Sequence, residues 1–163
     1  MDNRTVLPED TGDSMKGRYL TFMLGNEAFG IEIRIVMEII SIQPLNPMPN
    51  VPEYVKGVLN LRDRIFPVID TRLKFKMSPM EYTQRTCIII INTAKFQAGL
   101  VVDSVAEVLA LTDDNIAPPP STVGKFGNRY ISGIGKTGNR VTLLLDCEKL
   151  FTDEEADRIA TLS

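Results

Sequence analysis

Short apolar stretches, each closed by glycine, proline, asparagine or aspartate, run through most of the chain, and few keep a helical period for more than two turns. The pattern is that of strands. Tyr19-Leu-Thr-Phe-Met-Leu24 and Ala28-Phe-Gly-Ile-Glu-Ile33 read as two strands joined at Gly25-Asn26, where both residues accept positive φ at little strain. Ile35 to Ile42 fits either period, but its β-branched content predicts a strand from about Glu38. Prolines at 44, 47, 49 and 52 make the next segment a stiff loop, since each removes a donor and sets φ. Strands follow at Val58–Arg62 and Ile65–Asp70, with Asp63-Arg64 as their turn and a helical turn from Thr71 to Phe75. Further strands are expected at Arg85–Ile91, Phe96–Val102, Val105–Leu111, Tyr130–Gly135 and Val141–Asp146, with Pro118-Pro-Pro120 as a second rigid crossing. Thr152-Asp-Glu-Glu155 has the spacing of a capping box, so a short helix should run to about Thr161. Residues 1–16 are polar and aperiodic, as in a flexible tail, leaving 17–163 as the folded unit.

The strand pattern also repeats. Gly57-Val-Leu-Asn-Leu-Arg-Asp-Arg-Ile-Phe-Pro-Val-Ile-Asp-Thr-Arg-Leu-Lys-Phe75 lies without gaps over Gly133-Ile-Gly-Lys-Thr-Gly-Asn-Arg-Val-Thr-Leu-Leu-Leu-Asp-Cys-Glu-Lys-Leu-Phe151. Upstream, Gly30-Ile-Glu-Ile-Arg-Ile-Val-Met-Glu-Ile39 matches Gly99-Leu-Val-Val-Asp-Ser-Val-Ala-Glu-Val108 in the same order. A duplicated all-β unit follows: two small barrels, the first closing at the Thr71 turn, with strands swapped or shared and a cleft between lobes.

Composition narrows the chemistry. With 163 residues the chain buries enough surface to fold without a disulfide or structural metal. A net charge of -3, from 18 basic and 21 acidic residues, supplies no field for a nucleic-acid backbone. No apolar run reaches the ~20 residues of a membrane helix, and the start lacks a secretion signal, so a cytoplasmic protein is expected. Cys87 and Cys147 stand in apolar strand-like settings that suit inert buried thiols.

Candidate catalytic motifs dissolve on inspection. The sequence contains no histidine, which excludes Ser-His-Asp and Cys-His machinery and histidine-ligated metals, and no catalytic residue, metal or cofactor is expected. Gly133 to Gly138 fits G-x-G-x-x-G and would be the site of a nucleotide-binding alternative. However, it lies between two strands with no helix N-terminus to receive a phosphate, which makes it a hairpin turn. Asp113-Asp114 follows Thr112 as an ordinary helical-turn cap. Arg62 stands apart. It lies beside a turn that needs nothing bulky, with Arg64 and Arg72 near in sequence and Glu38 as a candidate intramolecular partner, and planar guanidinium groups are favoured at interface hot spots.

These residues resemble the CheW family of chemotaxis coupling proteins from Tyr19 to Phe151. The similarity rests on Tyr19-Leu-Thr-Phe22, Phe29-Gly-Ile-Glu-Ile33, Val36-Met-Glu-Ile39, Pro49-Asn-Val-Pro-Glu-Tyr-Val-Lys-Gly-Val-Leu-Asn-Leu-Arg62, Pro67-Val-Ile-Asp70, Gly99-Leu-Val-Val-Asp-Ser-Val105 and Glu107-Val-Leu109. Asp63 stands where the family usually has glycine, and Thr71 where it usually has leucine. The resemblance implies two SH3-like five-stranded barrels and a non-catalytic adaptor between transmembrane chemoreceptors and a CheA-type histidine kinase, whose regulatory domain shares the fold. It places the receptor's helical tip against Val36, Glu38, Lys56, Gly57, Arg62, Val105 and Val108. It also implies two kinase-facing patches, one per lobe, sought around Ile42 and Leu45 and around Ile88 and Ile90. The protein would be a monomer outside the array, without membrane insertion, recruited to receptor clusters. A scaffold of a non-flagellar chemosensory pathway is the related alternative.

Overall fold

A computed structural model describes residues 16–119 and 129–162. The tail expected over 1–16 lies outside them apart from Lys16, as does Pro120 of the proline triplet. Among the described residues eleven strands form two sheets: β1 (Arg18–Leu24), β2 (Glu27–Glu32), β3 (Val36–Ser41), β4 (Val55–Leu61), β5 (Arg64–Asp70), β6 (Cys87–Asn92), β7 (Gln97–Val102), β8 (Ser104–Ala110), β9 (Ile116–Ala117), β10 (Ile131–Thr137) and β11 (Arg140–Leu145). The helices described there are short, α1 (Thr71–Lys74) and α2 (Asp153–Thr161). Thr152 caps α2 as its sequence predicts, its Oγ1 accepting from Glu155 N at 3.1 Å while its own N–H donates to Glu155 Oε1 at 2.9 Å.

The lobes are not successive halves of the chain, as the repeat suggested. One sheet has the order β8-β1-β2-β11-β10-β9 and the other β3-β6-β7-β5-β4, so the first lobe combines both ends of the described chain and the second its middle. Two crossings cause this. β3 leaves the first lobe for the edge of the second, and β8 returns from the second to the edge of the first. Each sheet then curls until the chain beyond its first edge strand reaches its last strand: Asn46 pairs with Val58 on β4, and β9 pairs Ala117 with Ile134 on β10. Both lobes are therefore SH3-like barrels.

The duplication extends to single registers. Val55 faces Ile69 and Gly57 faces Val68 across a bulge, just as Ile131 faces Leu145 and Gly133 faces Leu144. Val68 lies parallel beside Gly99 as Leu144 lies beside Gly30. Gly57 marks the closest approach. Its φ is +145°, and a Cβ there would sit 2.3 Å from the Asn46 carbonyl oxygen, so only glycine lets β4 close its barrel.

Two apolar cores result. One is the interior of the second barrel, built on Leu59, Phe66, Val68, Ile88, Ile90 and Val101. The other draws on both sheets, including Phe22, Phe29 and Leu143 from the first and Ile89, Ile91 and Leu100 from the second, and joins the lobes. At about 25 cal/mol per Å² of apolar surface removed from water, that shared core is the main force holding the lobes together. A cation is built into the seam. The Lys74 Nζ lies 4.9 Å from the Tyr54 ring centre and 5.1 Å from that of Phe151, with Glu155 at 3.6 Å.

Candidate functional site

Arg62 is not the end of a strand, as the sequence predicted, but part of the turn itself. Leu61 pairs with Arg64, leaving Arg62 (φ +51°) and Asp63 (φ +64°) as the two central residues, both left-handed. That conformation lifts the Arg62 side chain off the sheet, and 63% of it is exposed. Glu38 meets it from β3. The two make a fork-to-fork pair, Arg62 Nη1 donating to Glu38 Oε1 and Nη2 to Oε2 at 2.9 Å. The glutamate side chain is only 10% exposed, so the sheet holds the carboxylate and the carboxylate orients the guanidinium.

A bulge on β3 sets the neighbouring residues. Val36 pairs with Ile91 and Glu38 with Ile90, so one residue of the partner strand spans two of β3. Val36 turns into the shared core, whereas Met37 is 38% exposed. In the first lobe the counterpart strand β8 carries a bulge at the same point, and Val105 and Val108 pack, half-buried, against the same core as Val36. The structure thus gathers the expected receptor-facing residues into two groups, the valines at the lobe seam and the Glu38–Arg62 pair, with exposed Lys56 on β4. Met37 on β3, next to Glu38, and Ile65 on β5, 46% exposed near the Arg62 turn, are exposed apolar residues close in sequence to this pair. Their signal in the sequence was an apolar residue directly adjoining a turn or a bulge.

Three expected contacts change role. Gly57 is buried and serves barrel closure against Asn46. Ile88 and Ile90, at 0% and 1% exposure, lie inside the second barrel and offer no surface. β6 is a central strand covered on both faces, which is why four consecutive isoleucines sit there. Moreover, Ile42 and Leu45 pack against the same core as Ile88 and Ile90, so the four residues belong to one lobe and cannot form one patch on each. Ile42 and Leu45 remain half-exposed.

The motifs set aside on sequence grounds are ordinary structure. Gly133 to Thr137 belong to β10, and Gly138 (φ +60°) turns the chain into β11. Thr112 precedes a 3-10 turn, its N–H donating to Asn115 Oδ1 at 3.1 Å. Burial pushes both thiols above their ordinary value, most strongly for Cys147. Among the described residues no cluster of acidic or cysteine side chains has metal-binding geometry, and no helix is long and apolar enough to cross a membrane.

Paired barrels that share a core and expose a braced arginine beside an apolar seam define a protein-docking module. Comparison with known proteins gives the family. The model of the CheW-like domain matches residues 18–155. The chemotaxis protein CheW of Klebsiella aerogenes is 39% identical over 88% of this chain and 87% of its own, and that of Treponema pallidum 34% identical over 88% and 86%. The scaffolding protein TtCheW of Thermoanaerobacter tengcongensis superimposes with a TM-score of 0.75 at 30% identity, covering 80% of this chain and 88% of that one. The chain belongs to the CheW-like family, whose members are adaptors in chemotaxis.

Proposed function

We propose that the protein is a non-catalytic, cytoplasmic adaptor that couples the cytoplasmic tip of transmembrane chemoreceptors to a CheA-type histidine kinase. The observation that carries this reading is the braced, outward-facing Arg62. An ion pair with so exposed an arginine contributes less than ~1 kcal/mol to stability, so its geometry is better suited to display than to folding. A preoriented fork loses little freedom when it meets a partner carboxylate or carbonyl, whereas the seam valines, with Met37, suit the apolar stripe of a helix. Glu38, Arg62 and Lys56 then set the helix register, while Val36, from within the core, supports Val105 and Val108 beneath it. Ile42 and Leu45 are the kinase-facing candidates, since they are apolar, half-exposed and backed by a rigid barrel core. Modest contacts suffice where many copies act together. Copurification of the full chain with a receptor cytoplasmic fragment, with the kinase, and with both tests this. Binding to each and a three-component complex are expected; binding to neither would refute the reading.

A further inference from the structure

The duplication that builds the two barrels also repeats the brace beneath Arg62. Val36, Met37 and Glu38 of β3 correspond to Val105, Ala106 and Glu107 of β8, the strand that crosses between lobes in the other direction. Both strands carry a bulge at this point, and each glutamate meets an arginine from the hairpin of its own sheet. Glu38 holds Arg62 in the β4–β5 turn, and Glu107 Oε1 lies 3.8 Å from Arg140 Nη1 at the start of β11. Inheritance of the backbone alone does not account for the second pair. Gly138 stands in the place of Arg62, and Arg140 duplicates Arg64, so the first lobe rebuilds the pairing from two residues further along the chain. Among the described residues the second brace is the looser one, with 72% of the Arg140 side chain and 46% of the Glu107 side chain exposed. Val141, next to Arg140, is 53% exposed, as its duplicate Ile65 is 46% exposed.

The two braces flank one seam. Glu107 stands between Val105 and Val108, which pack against the shared core that holds Val36. The Val105 N–H donates to the Cys87 thiol, and Cys87 pairs with Ser41, so β8 begins where β3 ends. By the duplication β3 begins where β8 ends, and the crossing strands pass in opposite directions with a glutamate near the middle of each. We infer that Arg140, held by Glu107, is a second anchor of the receptor-docking surface, so that a helix lying along the valine seam is gripped from both lobes and carries a carboxylate on each side of its apolar stripe. This rests on the receptor reading of the Arg62 surface and adds to it the charge pattern of the partner. Charge complementarity argues for that occupant: a guanidinium has five N–H donors, a single glutamate engages two of them at most in a fork, and the rest suit a partner carboxylate. A helix with lysine at either place would be repelled.

The test adds a receptor cytoplasmic fragment to the isotope-labelled full chain, follows the arginine Nε–H signals, and compares the affinities of the parent, Arg140→Ala, Arg140→Glu and Arg62→Ala. Saturable shifts of Arg140 and Arg62 at one midpoint are expected. Arg140→Ala should keep the parent's amide spectrum away from the site, since an exposed pair adds little stability, and should bind about three- to ten-fold more weakly. Arg140→Glu should lose more than Arg140→Ala, and the difference should shrink as salt is raised. An unmoved Arg140 signal, or an Arg140→Ala affinity equal to the parent's while Arg62→Ala weakens, would overturn the second anchor and leave the receptor reading standing. Weaker binding of Arg140→Ala to the kinase with fragment binding unchanged would also overturn it, by giving Arg140 to the other partner. A parent chain that binds no fragment would overturn both.

Discussion

Gly57→Ala separates a folding role from a binding role at a position that sequence reasoning placed in the receptor surface. The added methyl would sit 2.3 Å from Asn46 O and 2.8 Å from its carbonyl carbon, at a φ of +145° that L-residues rarely adopt. Relief requires β4 to retreat from the proline loop, which breaks the pair of hydrogen bonds from Asn46 N to Val58 O (3.0 Å) and from Val58 N to Asn46 O (2.8 Å). Backbone strain of ~1–3 kcal/mol and two hydrogen bonds at ~0.5–1.5 kcal/mol each give a loss of about 2–6 kcal/mol. For a chain of this size that lowers Tm by roughly 4 to 24 °C. The duplicate position supplies an internal control. At Gly133 the same methyl would meet Ile116 Cγ2 at 3.0 Å and Ala117 O at 3.2 Å, and that backbone is not left-handed. Both neighbours need yield only a few tenths of an ångström and no left-handed strain is added, so Gly133→Ala should lose less, about 1–3 kcal/mol. Thermal melts of the two variants decide the matter. Equal losses, or an unchanged melt for Gly57→Ala with impaired receptor binding, would refute barrel closure as the role of Gly57.

Other predictions follow from the same coordinates. Thr71 is 1% exposed and its Oγ1 has no hydrogen-bond partner among the described residues, while its duplicate is the buried Cys147; Thr71→Val should therefore stabilise by about 1–2 kcal/mol in denaturant melts. Asp63 occupies a left-handed turn position, so Asp63→Gly should raise stability by about 1 kcal/mol without moving the Glu38–Arg62 pair, as read by the melt and by arginine side-chain shifts. Two partly buried carboxylates contribute to acid sensitivity. Burial raises Asp103, but Arg72 and the Gly25 N–H outweigh it; burial likewise raises Glu155, and the Thr152 N–H, the Tyr54 hydroxyl and Lys74 outweigh it, leaving both below the ordinary carboxylate range. On acidification the unfolded chain takes up these protons first, so the stability they confer is present above about pH 4 and is lost as pH falls through the folded values. Asp103→Asn should flatten that fall in acid titrations followed by circular dichroism.

Much of this architecture was legible because the sequence repeats itself. The two glycine-to-phenylalanine segments correspond down to the bulge preceding Gly57 and Gly133, and the aspartates within them, Asp70 and Asp146, both cap the turn that follows. Periodicity could not show the exchange of β3 and β8, because a strand's pattern records that one face is buried and not which sheet buries it. The turn, expected at Asp63-Arg64, lies one residue earlier at Arg62-Asp63, because pairing of Leu61 with Arg64 decides the register. A helix-or-strand ambiguity at Ile35 resolved as a 3-10 turn over Ile33–Ile35 followed by strand from Val36. At the site, Glu38 and Arg62 were paired correctly from their chemistry. Ile88 and Ile90, placed on a kinase-facing patch by the family resemblance, lie inside because the run Cys87 to Ile91, apolar at every position, forms a strand covered on both faces.

The coupling itself is tested most directly by kinase retention on receptor-bearing membranes, measured by sedimentation as the full chain is added. Retention should rise with added protein and saturate. Arg62→Ala, with a melt within about 4 °C of the parent because the exposed pair adds less than ~1 kcal/mol, should need roughly ten-fold more protein to reach the same level. Kinase sedimentation that is unaffected by the protein, or an Arg62→Ala curve that superimposes on the parent curve, would contradict the account.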